Sequence, residues 1–208
     1  DWDLKKDIVK SRIKNILSKN EKKIYARKCL IKNLDNKTYK TFLNQNHLQG
    51  YSPSKIRIGL YFEDELVSLM SFSPLRISTG NKNNDNHYEL LRFCNVIDYR
   101  VIGGASKLLK YFEKQYSPEY IISYADKRWS LGNLYKQLKF GLSHESKPNY
   151  FYVQGNKRLN RFGFRKDILI SKYNCKQENT ERNFCREELN LVRIYDCGNN
   201  VFEKRLSF

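Results

Sequence analysis

The sequence predicts one mixed α/β domain, built on a mostly antiparallel sheet that helices flank. The clearest indication is a hairpin, in which the apolar stretches 56–62 and 66–72 surround the short polar turn 63–65. Strand-length apolar runs then alternate with helical patterns over residues 88–153, which is typical of a mixed sheet. With 208 residues and 40% hydrophobic content, the chain is long enough to bury one core.

The other elements follow from apolar spacing and from residues that break it. Residues 1–20 predict an amphipathic helical lead-in that Asn20 ends, and the alternating segment 25–32 predicts a first strand. Asp35 or Asn36 is expected to cap the next helix. In chain order we expect a helix at 37–46, a polar mobile loop at 79–86, a strand at 88–94, a loop through Arg100, a helix at 104–115, a strand at 120–124, a short helix at 133–138, a strand at 150–153 and a hairpin turning at Gly198–Asn199. This division gives a lead-in at 1–20, an α/β domain at 25–155 and a basic C-terminal extension at 156–208 that packs on it.

Basic residues outnumber acidic ones along the whole chain. The 39 Lys and Arg residues against 22 Asp and Glu residues give a net charge of +17, which favours a polyanion partner, with DNA expected first. The charge does not separate DNA from RNA or anionic lipid, and an AT-rich genome also produces sequences rich in Lys and Asn. The aromatic-interleaved basic run 157–166 either stacks bases and pairs phosphates or forms a solvated edge of the sheet. Its cations are Lys157, Arg158, Arg161, Arg165 and Lys166.

No stretch has the length and apolar character of a membrane helix, and the first residues lack the pattern of a secretory signal. These features predict a cytoplasmic protein without a membrane partner, and a start without Met is expected of a fragment or a processed form. The five cysteines form no C-x-x-C pair, so reduced thiols and no metal are expected. A metal site that combines Cys175, Cys185 or Cys197 with a distant His is the alternative. His47 and His144 are expected to be polar surface groups.

A glycine pair stands between a predicted strand and a predicted helix, in the run Arg100–Ala105. Glycines let backbone amides approach a ligand closely, and the start of a helix attracts anions through its unpaired N–H groups. An ordinary tight turn would have the same composition.

This run, R-x-x-G-x-A, resembles the pyrophosphate loop of the GNAT superfamily of acyltransferases. The resemblance covers about residues 25–153: 61–72 match the second and third strands of the family, and 121–124 match its fifth. Residues 133–140 resemble its N-x-x-L-Y-x-x-L-G-F helix, with Lys139 in place of the usual glycine. The resemblance implies a splayed sheet that binds acetyl-CoA or another acyl-CoA. It assigns that binding to Arg100, Ile102, Gly103, Gly104, Ala105, Ser106 and Asn133.

In the same family the tyrosine of this helix lies beside the sulfur of CoA and protonates the leaving thiolate. The resemblance therefore implies that Tyr135 is a general acid. The alternative is that Tyr135 is a half-buried aromatic side chain packed on the sheet, as any one of 15 tyrosines could be.

Two further patterns, E-x-x-R at 89–92 and S-[YF]-A-D-x-R at 123–128, resemble the Mom family of GNAT-related phage enzymes that modify adenine in DNA. The resemblance implies a site around a substrate amine, with Asp126 as base, Arg128 as anion clamp and Glu89 as orienting group. Strand alternation predicts that Glu89 faces away from Leu90 and Arg92. A salt-bridge cluster at a strand end is the alternative. Ser123 completes the candidate catalytic set, and Arg92, Arg128 and Trp129 the candidate nucleic-acid contacts.

A closer resemblance, over nearly the whole chain, is to the C-terminal region of phage and giant-virus proteins similar to homing endonucleases. It rests on six segments, at 2–13, 24–29, 47–50, 101–108, 123–135 and 193–199. It implies that the nuclease residues of such proteins lie upstream of Asp1. The chain contains no H-N-H, G-I-Y-Y-I-G or P-D…D/E-x-K pattern, so cleavage by this chain is not expected.

Two functions from different classes remain open on the sequence. One is acyl-CoA-dependent transfer to a base amine of DNA, and the other is a non-catalytic DNA-binding module that targets an upstream nuclease domain. A protein or small-molecule acetyltransferase would fit the glycine loop and leave the charge of +17 unexplained. The sequence does not assign an oligomeric state.

Overall fold

The computed structural model describes residues 2–19, 22–75 and 86–206, so Asn20 and most of the predicted loop 79–86 lie outside the described residues. The described helices are α1 (Lys6–Ile16), α2 (Asn36–Asn46), α3 (Gly104–Tyr116), α4 (Asn133–Gln137), α5 (Lys166–Tyr173) and α6 (Glu181–Glu187). The described strands are β1 (Lys22–Tyr25), β2 (Leu30–Asn33), β3 (Ile56–Phe62), β4 (Glu65–Pro74), β5 (His87–Asn95), β6 (Tyr99–Ile102), β7 (Tyr120–Asp126), β8 (Gly141–Glu145), β9 (Tyr150–Gln154), β10 (Lys157–Asn160), β11 (Val192–Tyr195) and β12 (Asn199–Arg205).

The main sheet has seven strands in the order β2-β3-β4-β5-β7-β12-β8. Strands β2 to β5 pair antiparallel in sequence, and β5 pairs with β7 in parallel. This mixed, mostly antiparallel sheet with flanking helices confirms the predicted fold class. Two smaller sheets accompany it, a parallel pair of β1 with β6 and a three-stranded sheet in the order β10-β9-β11.

Local signals in the sequence account for the central elements. Strands β3 and β4 form the predicted hairpin. Helix α2 begins where expected, because the Asp35 carboxylate accepts hydrogen bonds from the Lys37 and Thr38 amides at 2.8 and 3.0 Å. The Tyr39 hydroxyl of α2 lies 2.9 Å from the Ser71 hydroxyl of β4, and Phe112 of α3 stacks on Phe72 of β4 with ring centroids 3.6 Å apart. Because Ser71 and Phe72 are adjacent in β4 and point to opposite faces, α2 and α3 pack on the two faces of the sheet.

The predicted strand over 25–32 is wrong in its middle, where a 3-10 turn at 26–28 separates β1 from β2. Ala26 and Cys29 are both buried, and a spacing of three puts both on one side of a helical turn rather than on alternating sides of a strand. The Lys107 ammonium holds the turn by donating to the carbonyls of Ala26 and Cys29 at 2.9 and 2.6 Å.

The predicted loop through Arg100 is also corrected, because residues 99–102 form β6. Its four residues pair in parallel with the four of β1, and Val101 is buried. A partner strand that lies 77 positions earlier in the chain, as Lys22 does for Tyr99, is not detectable from the local pattern.

The predicted C-terminal hairpin at Gly198–Asn199 does not form. Its first arm, β11, pairs with β9, while its second arm, β12, enters the main sheet between β7 and β8. The Asp196 carboxylate fixes the connection by accepting hydrogen bonds from the Asn149 and Gly198 amides, both at 2.8 Å. The sequence boundary drawn at residue 155 therefore does not coincide with a boundary of the sheet.

The contacts divide the chain into two compact units. The first contains Asp1–Tyr124, Gly132–Ser143 and Val201–Phe208, and the second contains Ala125–Leu131 and His144–Asn200. The predicted lead-in belongs to the first unit, where Ile8 and Val9 are buried. The predicted extension is shared between the units because β12 carries the buried Val201 and Phe202. In the second unit, Tyr152, Leu169, Cys175, Phe184, Cys185 and Leu191 form a core of their own. No described helix is long and apolar enough to cross a membrane.

Candidate active site

Strands β5 and β7 part in the middle of the main sheet. Their parallel register covers the three pairs from His87–Tyr120 to Glu89–Ile122, although β5 continues to Asn95 and β7 to Asp126. After Glu89 and Ile122 the backbone N–H and C=O groups of β5 and β7 no longer pair with each other, so side chains or a ligand can bind them. The sequence resemblance implied such a splayed sheet.

A β-bulge lies at the start of this split. On β4, Ser71 opposes Arg92 and Phe72 opposes Leu90, so Leu91 opposes no residue. The extra residue reverses the alternation, because Glu89 opposes Ser73 and Arg92 opposes Ser71, which lie on the same face of β4. Glu89 and Arg92 therefore share a face, and the prediction that they face opposite sides is wrong.

Ser123 and Tyr135 meet at the split. The Ser123 hydroxyl donates to the Leu90 carbonyl at 2.9 Å and lies 2.9 Å from the Tyr135 hydroxyl. Leu90 follows Glu89, the last residue of β5 that pairs with β7, so Ser123 bridges the two strands where their backbone pairing stops. The Tyr135 phenol is thus held at the opening between the strands rather than on the outer surface of the sheet.

The ring of Tyr135 is fixed from the side by β12. It stacks on Phe202 at 4.5 Å, with an angle of 7° between the ring planes, and Phe202 is only 2% exposed. Gly132, the residue before α4, has φ +79, and an added Cβ would overlap the Phe202 ring. Burial raises the pKa of Tyr135 above its usual value, while the hydrogen bond to Ser123 and the charges of Arg12 and Arg92 act in the opposite direction. The phenol is therefore protonated at neutral pH.

The first turn of α3 offers exposed backbone amides. Its N-cap residue, Gly103, has φ +76, and no side chain caps the helix. Gly103 and Ser106 are exposed, and the nearest atom to a Cβ added at Gly103 would be Ala26 Cβ at 3.8 Å. Gly104 is buried against Val101, where an added Cβ would lie 3.0 Å from Cγ1. An uncapped helix start of this kind binds anions through its N–H groups and its dipole.

The remaining predicted ligands of acyl-CoA occupy separate positions in the first unit. Arg100 and Ile102 are exposed residues of β6, directly before this turn, and Ala105 is buried within it. Asn133 is the exposed first residue of α4, two positions before Tyr135.

Asp126 and Arg128 form a local fork in the second unit. The Asp126 carboxylate accepts three hydrogen bonds from Arg128: from the backbone amide at 3.0 Å, from Nε at 3.0 Å and from Nη2 at 2.6 Å. The hydrogen bond to Asp126 raises the pKa of Arg128. These contacts correspond to the predicted salt-bridge alternative, since a carboxylate bound to a guanidinium is a weak base. Trp129 follows in the same turn and donates its amide to the Asp126 carbonyl at 3.0 Å.

Sequence reasoning missed Arg12, on α1, whose charge acts to lower the pKa of Tyr135 and that of His47. Arg92, a predicted nucleic-acid contact, acts on both groups in the same direction. His47, at the end of α2, was expected to be a surface group; burial and then the charges of Arg92, Arg12 and Lys5 lower its pKa to about 3. No signal in the sequence linked a residue of the lead-in to position 135.

The predicted basic run lies in the second unit. Lys157 and Arg158 belong to β10, and the Arg158 guanidinium lies 4.7 Å from the ring centroid of Phe151. Arg161, in the 3-10 turn that follows, lies 5.2 Å from the ring of Tyr150. These pairs place cations on aromatic rings at the three-stranded sheet.

The last two cations of the run have protein partners. Arg165 forms an ion pair with Asp167 at 3.3 Å. The Lys166 ammonium donates to the carbonyls of Lys176 and Asn179 and therefore stabilises the loop after α5. The free thiols are Cys29, Cys94, Cys175, Cys185 and Cys197, and the described residues contain no group of three or more His, Cys, Asp or Glu side chains arranged to hold a metal.

No family model matches the sequence, and no curated protein is similar to it. Solved structures do resemble the fold. The ribosomal-protein-S18-alanine N-acetyltransferase of Escherichia coli is 9% identical, with 86% of this chain and 95% of that chain covered and a TM-score of 0.52. A GNAT family acetyltransferase of Elizabethkingia anophelis with acetyl-CoA bound is 11% identical over 86% and 99% of the two chains, with a TM-score of 0.48. The described protein has the fold of the GNAT acetyltransferases.

Proposed function

We propose that the protein is an acyl-CoA-dependent N-acyltransferase whose acceptor is a base amine of nucleic acid, with DNA as the expected polymer. The observation that carries the proposal is the parting of β5 and β7 after Glu89–Ile122, with the Tyr135 hydroxyl held there by Ser123 at 2.9 Å. The E. coli protein of similar fold is itself an N-acetyltransferase. A module that only binds DNA would not need a half-buried phenol at an opening in its sheet.

The first turn of α3 fits the pyrophosphate of an acyl-CoA. Gly103 has no side chain that would cover the backbone N–H groups of this turn, and no other side chain caps the helix. Arg100 and Ser106 are exposed in the same segment. The backbone of 103–106 would hold the pyrophosphate through these N–H groups and the helix dipole. Acyl-CoA, when bound, supplies the activated acyl group.

The side chains at the split supply proton transfers. Glu89 is only 8% exposed and is the last residue of β5 that pairs with β7, and we assign it to accept the proton of the acceptor amine. Tyr135 carries a proton at the split, and its raised pKa keeps that proton in place at neutral pH. Asp126 does not take the role of base in this proposal, because the Arg128 guanidinium donates to both of its oxygens.

The nucleic-acid acceptor is supported by charge. The chain carries +17, and the aromatic-basic pairs Arg158–Phe151 and Arg161–Tyr150 combine a phosphate-binding cation with a ring, as single-strand binding surfaces do. A base amine inside a duplex is stacked and paired, so the target base would have to be single-stranded or flipped out.

The cofactor site is tested with Ser106→Glu. A carboxylate in the first turn of α3 stabilises the helix itself, so the variant folds, yet it repels a pyrophosphate at the same amides. We expect affinity for acetyl-CoA, measured by calorimetry, to fall at least about tenfold. Ser106→Gln has the same size without the charge and should bind as the wild type does.

The catalytic assignment is tested with Tyr135→Phe, which keeps the ring stack on Phe202 and removes the proton. We expect unchanged acetyl-CoA affinity and transfer to DNA slowed by about 10²-fold or more, measured by mass spectrometry of digested DNA. Absence of acetyl-CoA binding at millimolar concentration would contradict the proposal, and the DNA-binding module beside an upstream nuclease would replace it.

A further inference from the structure

The three-stranded sheet of the second unit has one face on a core and one face toward solvent. Tyr152, in the central strand β9, is fully buried among side chains of α5 and α6. Leu159 of β10 and Arg193 of β11 oppose Tyr152 and therefore lie on the same face. The opposite face carries the residues that alternate with these, namely Phe151 and Val153 of β9, Arg158 and Asn160 of β10, and Val192 and Ile194 of β11. We call these six residues the outer face.

The outer face exposes apolar side chains that the strand register brings together. Val192 opposes Val153 and Ile194 opposes Phe151, so the four form one apolar patch across β9 and β11. Val192 is 62% exposed and Ile194 is 44% exposed. From the other side of β9, the Arg158 guanidinium lies 4.7 Å from the ring centroid of Phe151. The outer face therefore combines apolar area with a flat cation, and none of its six residues is acidic.

The second aromatic-basic pair, Arg161 with Tyr150, belongs to the opposite face. Tyr150 precedes Phe151 in β9, so the two rings point to different sides of the sheet. The Arg193 guanidinium lies 4.2 Å from the ring centroid of Tyr150, closer than that of Arg161 at 5.2 Å. The Tyr150 hydroxyl donates to the Glu181 carboxylate of α6 at 2.6 Å. Protein groups thus engage the Tyr150 ring, and Arg161 adds charge rather than a stacking surface.

The charge of the second unit favours an anionic ligand at the outer face. This unit contains 13 Lys and Arg residues against 8 Asp and Glu residues, so it attracts polyanions by itself. Lys157 is exposed beside Arg158 in the edge strand β10. Asp196, which follows Ile194 by two positions, accepts hydrogen bonds from two backbone amides at 2.8 Å. A phosphate therefore meets cations at the β10 edge of the outer face.

The size of the outer face favours nucleotides over a folded partner. Strands lie about 4.8 Å apart and rise about 3.3 Å per residue, so these strands of four or five residues span roughly 10 by 13 Å. A stable protein interface buries roughly 800 Å² on each partner. The four-stranded sheet of a common RNA-binding domain stacks two or three bases, so a three-stranded face has room for about two.

We propose that the outer face binds single-stranded nucleic acid, with neighbouring bases against the Arg158 guanidinium and the Val192–Ile194 patch and a phosphate beside Lys157. The inference rests on the proposed function and names the surface that holds the acceptor strand. Bases of any identity stack on a guanidinium or on apolar side chains, so this surface does not select a sequence.

The test compares a labelled thymidine oligonucleotide with an abasic oligonucleotide of the same length and charge, by fluorescence anisotropy without acyl-CoA. The wild type should bind the thymidine strand at least about tenfold more tightly, because only that strand has bases to stack. Arg158→Lys keeps the charge and removes the flat guanidinium. It should reduce the preference for bases and leave binding of the abasic strand unchanged.

A second pair of variants locates the surface. Val192→Glu places a carboxylate on the outer face and should weaken binding of the thymidine strand about tenfold. Leu30→Glu is the matched control and should change this affinity little. Leu30 is also the first residue of its strand, and its exposure of 65% is close to the 62% of Val192. Because Arg158 is exposed, Arg158→Lys tests the same surface if Val192→Glu does not fold.

Equal affinity of the wild type for the two oligonucleotides would overturn the proposal. Equal losses for Val192→Glu and Leu30→Glu would also overturn it, because binding would then follow net charge. Self-association of the wild type that Val192→Glu abolishes, with DNA affinity unchanged, would assign the outer face to a second copy of the chain instead. Acetyl-CoA binding without a preference for bases would refute the outer face alone, and the reverse result would refute the transferase alone.

Discussion

Leu91 shows how one residue decides which side chains meet in this site. Because Leu91 opposes no residue of β4, the alternation of side chains along β5 reverses at this point, and Glu89 lies on the same face as Arg92. Without the bulge, alternation would place the two on opposite faces. The pKa of His47 is likewise set by its surroundings, because burial and then the charges of Arg92, Arg12 and Lys5 lower it to about 3.

This shift of His47 predicts a pH dependence of stability. The folded pKa of about 3 lies below the usual 6.5, so between these values the unfolded chain binds more protons than the folded chain does. The free energy of unfolding therefore falls as pH drops from 6.5 towards 3, by at most about 1.4 kcal/mol per pH unit from this group.

Urea unfolding between pH 6.5 and 4.5 should thus show a shallower pH dependence for His47→Gln than for the wild type. His144→Gln removes an exposed histidine and is the matched control. Identical slopes for the wild type and His47→Gln would show that the ring is protonated in the folded protein.

At the scale of elements, strand β12 positions the candidate catalytic helix. Phe202 lies against both Tyr135 and Gly132, so the contact that fixes the phenol comes from a strand at the far end of the chain. Helix α4 has only five residues and no buried residue, so its own packing cannot fix its direction. Its N-cap glycine and the Phe202 ring do so instead.

Gly132→Ala tests this arrangement against Gly103→Ala. Both glycines are N-caps with similar positive φ, +79 and +76, so both variants carry the cost of a left-handed alanine, about 1–2 kcal/mol. Only at Gly132 does the added Cβ overlap a ring, and we expect an additional loss of about 1–3 kcal/mol in urea unfolding. Equal losses for the two variants would mean that β12 does not hold α4.

At the scale of the whole molecule, the net charge of +17 predicts binding to nucleic acid that weakens with salt. Each phosphate contact adds about 0.7–0.9 to the slope of log affinity against log salt, because counterions are released. A double variant, Arg158→Gln with Arg161→Gln, should reduce the slope by about 1.5 and weaken binding to all sequences alike.

The matched control, Lys14→Gln with Lys32→Gln, removes the same charge from lysines that are already paired with aspartates at 3.2 and 3.5 Å. Mobility shifts on single-stranded and duplex DNA measure both variants. An equal loss in the two would assign binding to overall charge rather than to the aromatic-basic surface, and affinity that does not respond to salt would remove nucleic acid as the acceptor.

The sequence by itself determined what depends on neighbours along the chain. The hairpin of β3 and β4, the cap at Asp35, the start of α3 behind Gly103 and the positive charge were all readable, because turns, caps and composition act over a few residues. Tertiary structure alone decided the rest. The bulge at Leu91 requires a partner strand to define it, β12 finds its place between strands that are distant in sequence, and Arg12 reaches the environment of Tyr135 only when α1 docks. Register and long-range pairing depend on contacts whose loop-closure cost and packing gain leave no local pattern in the sequence.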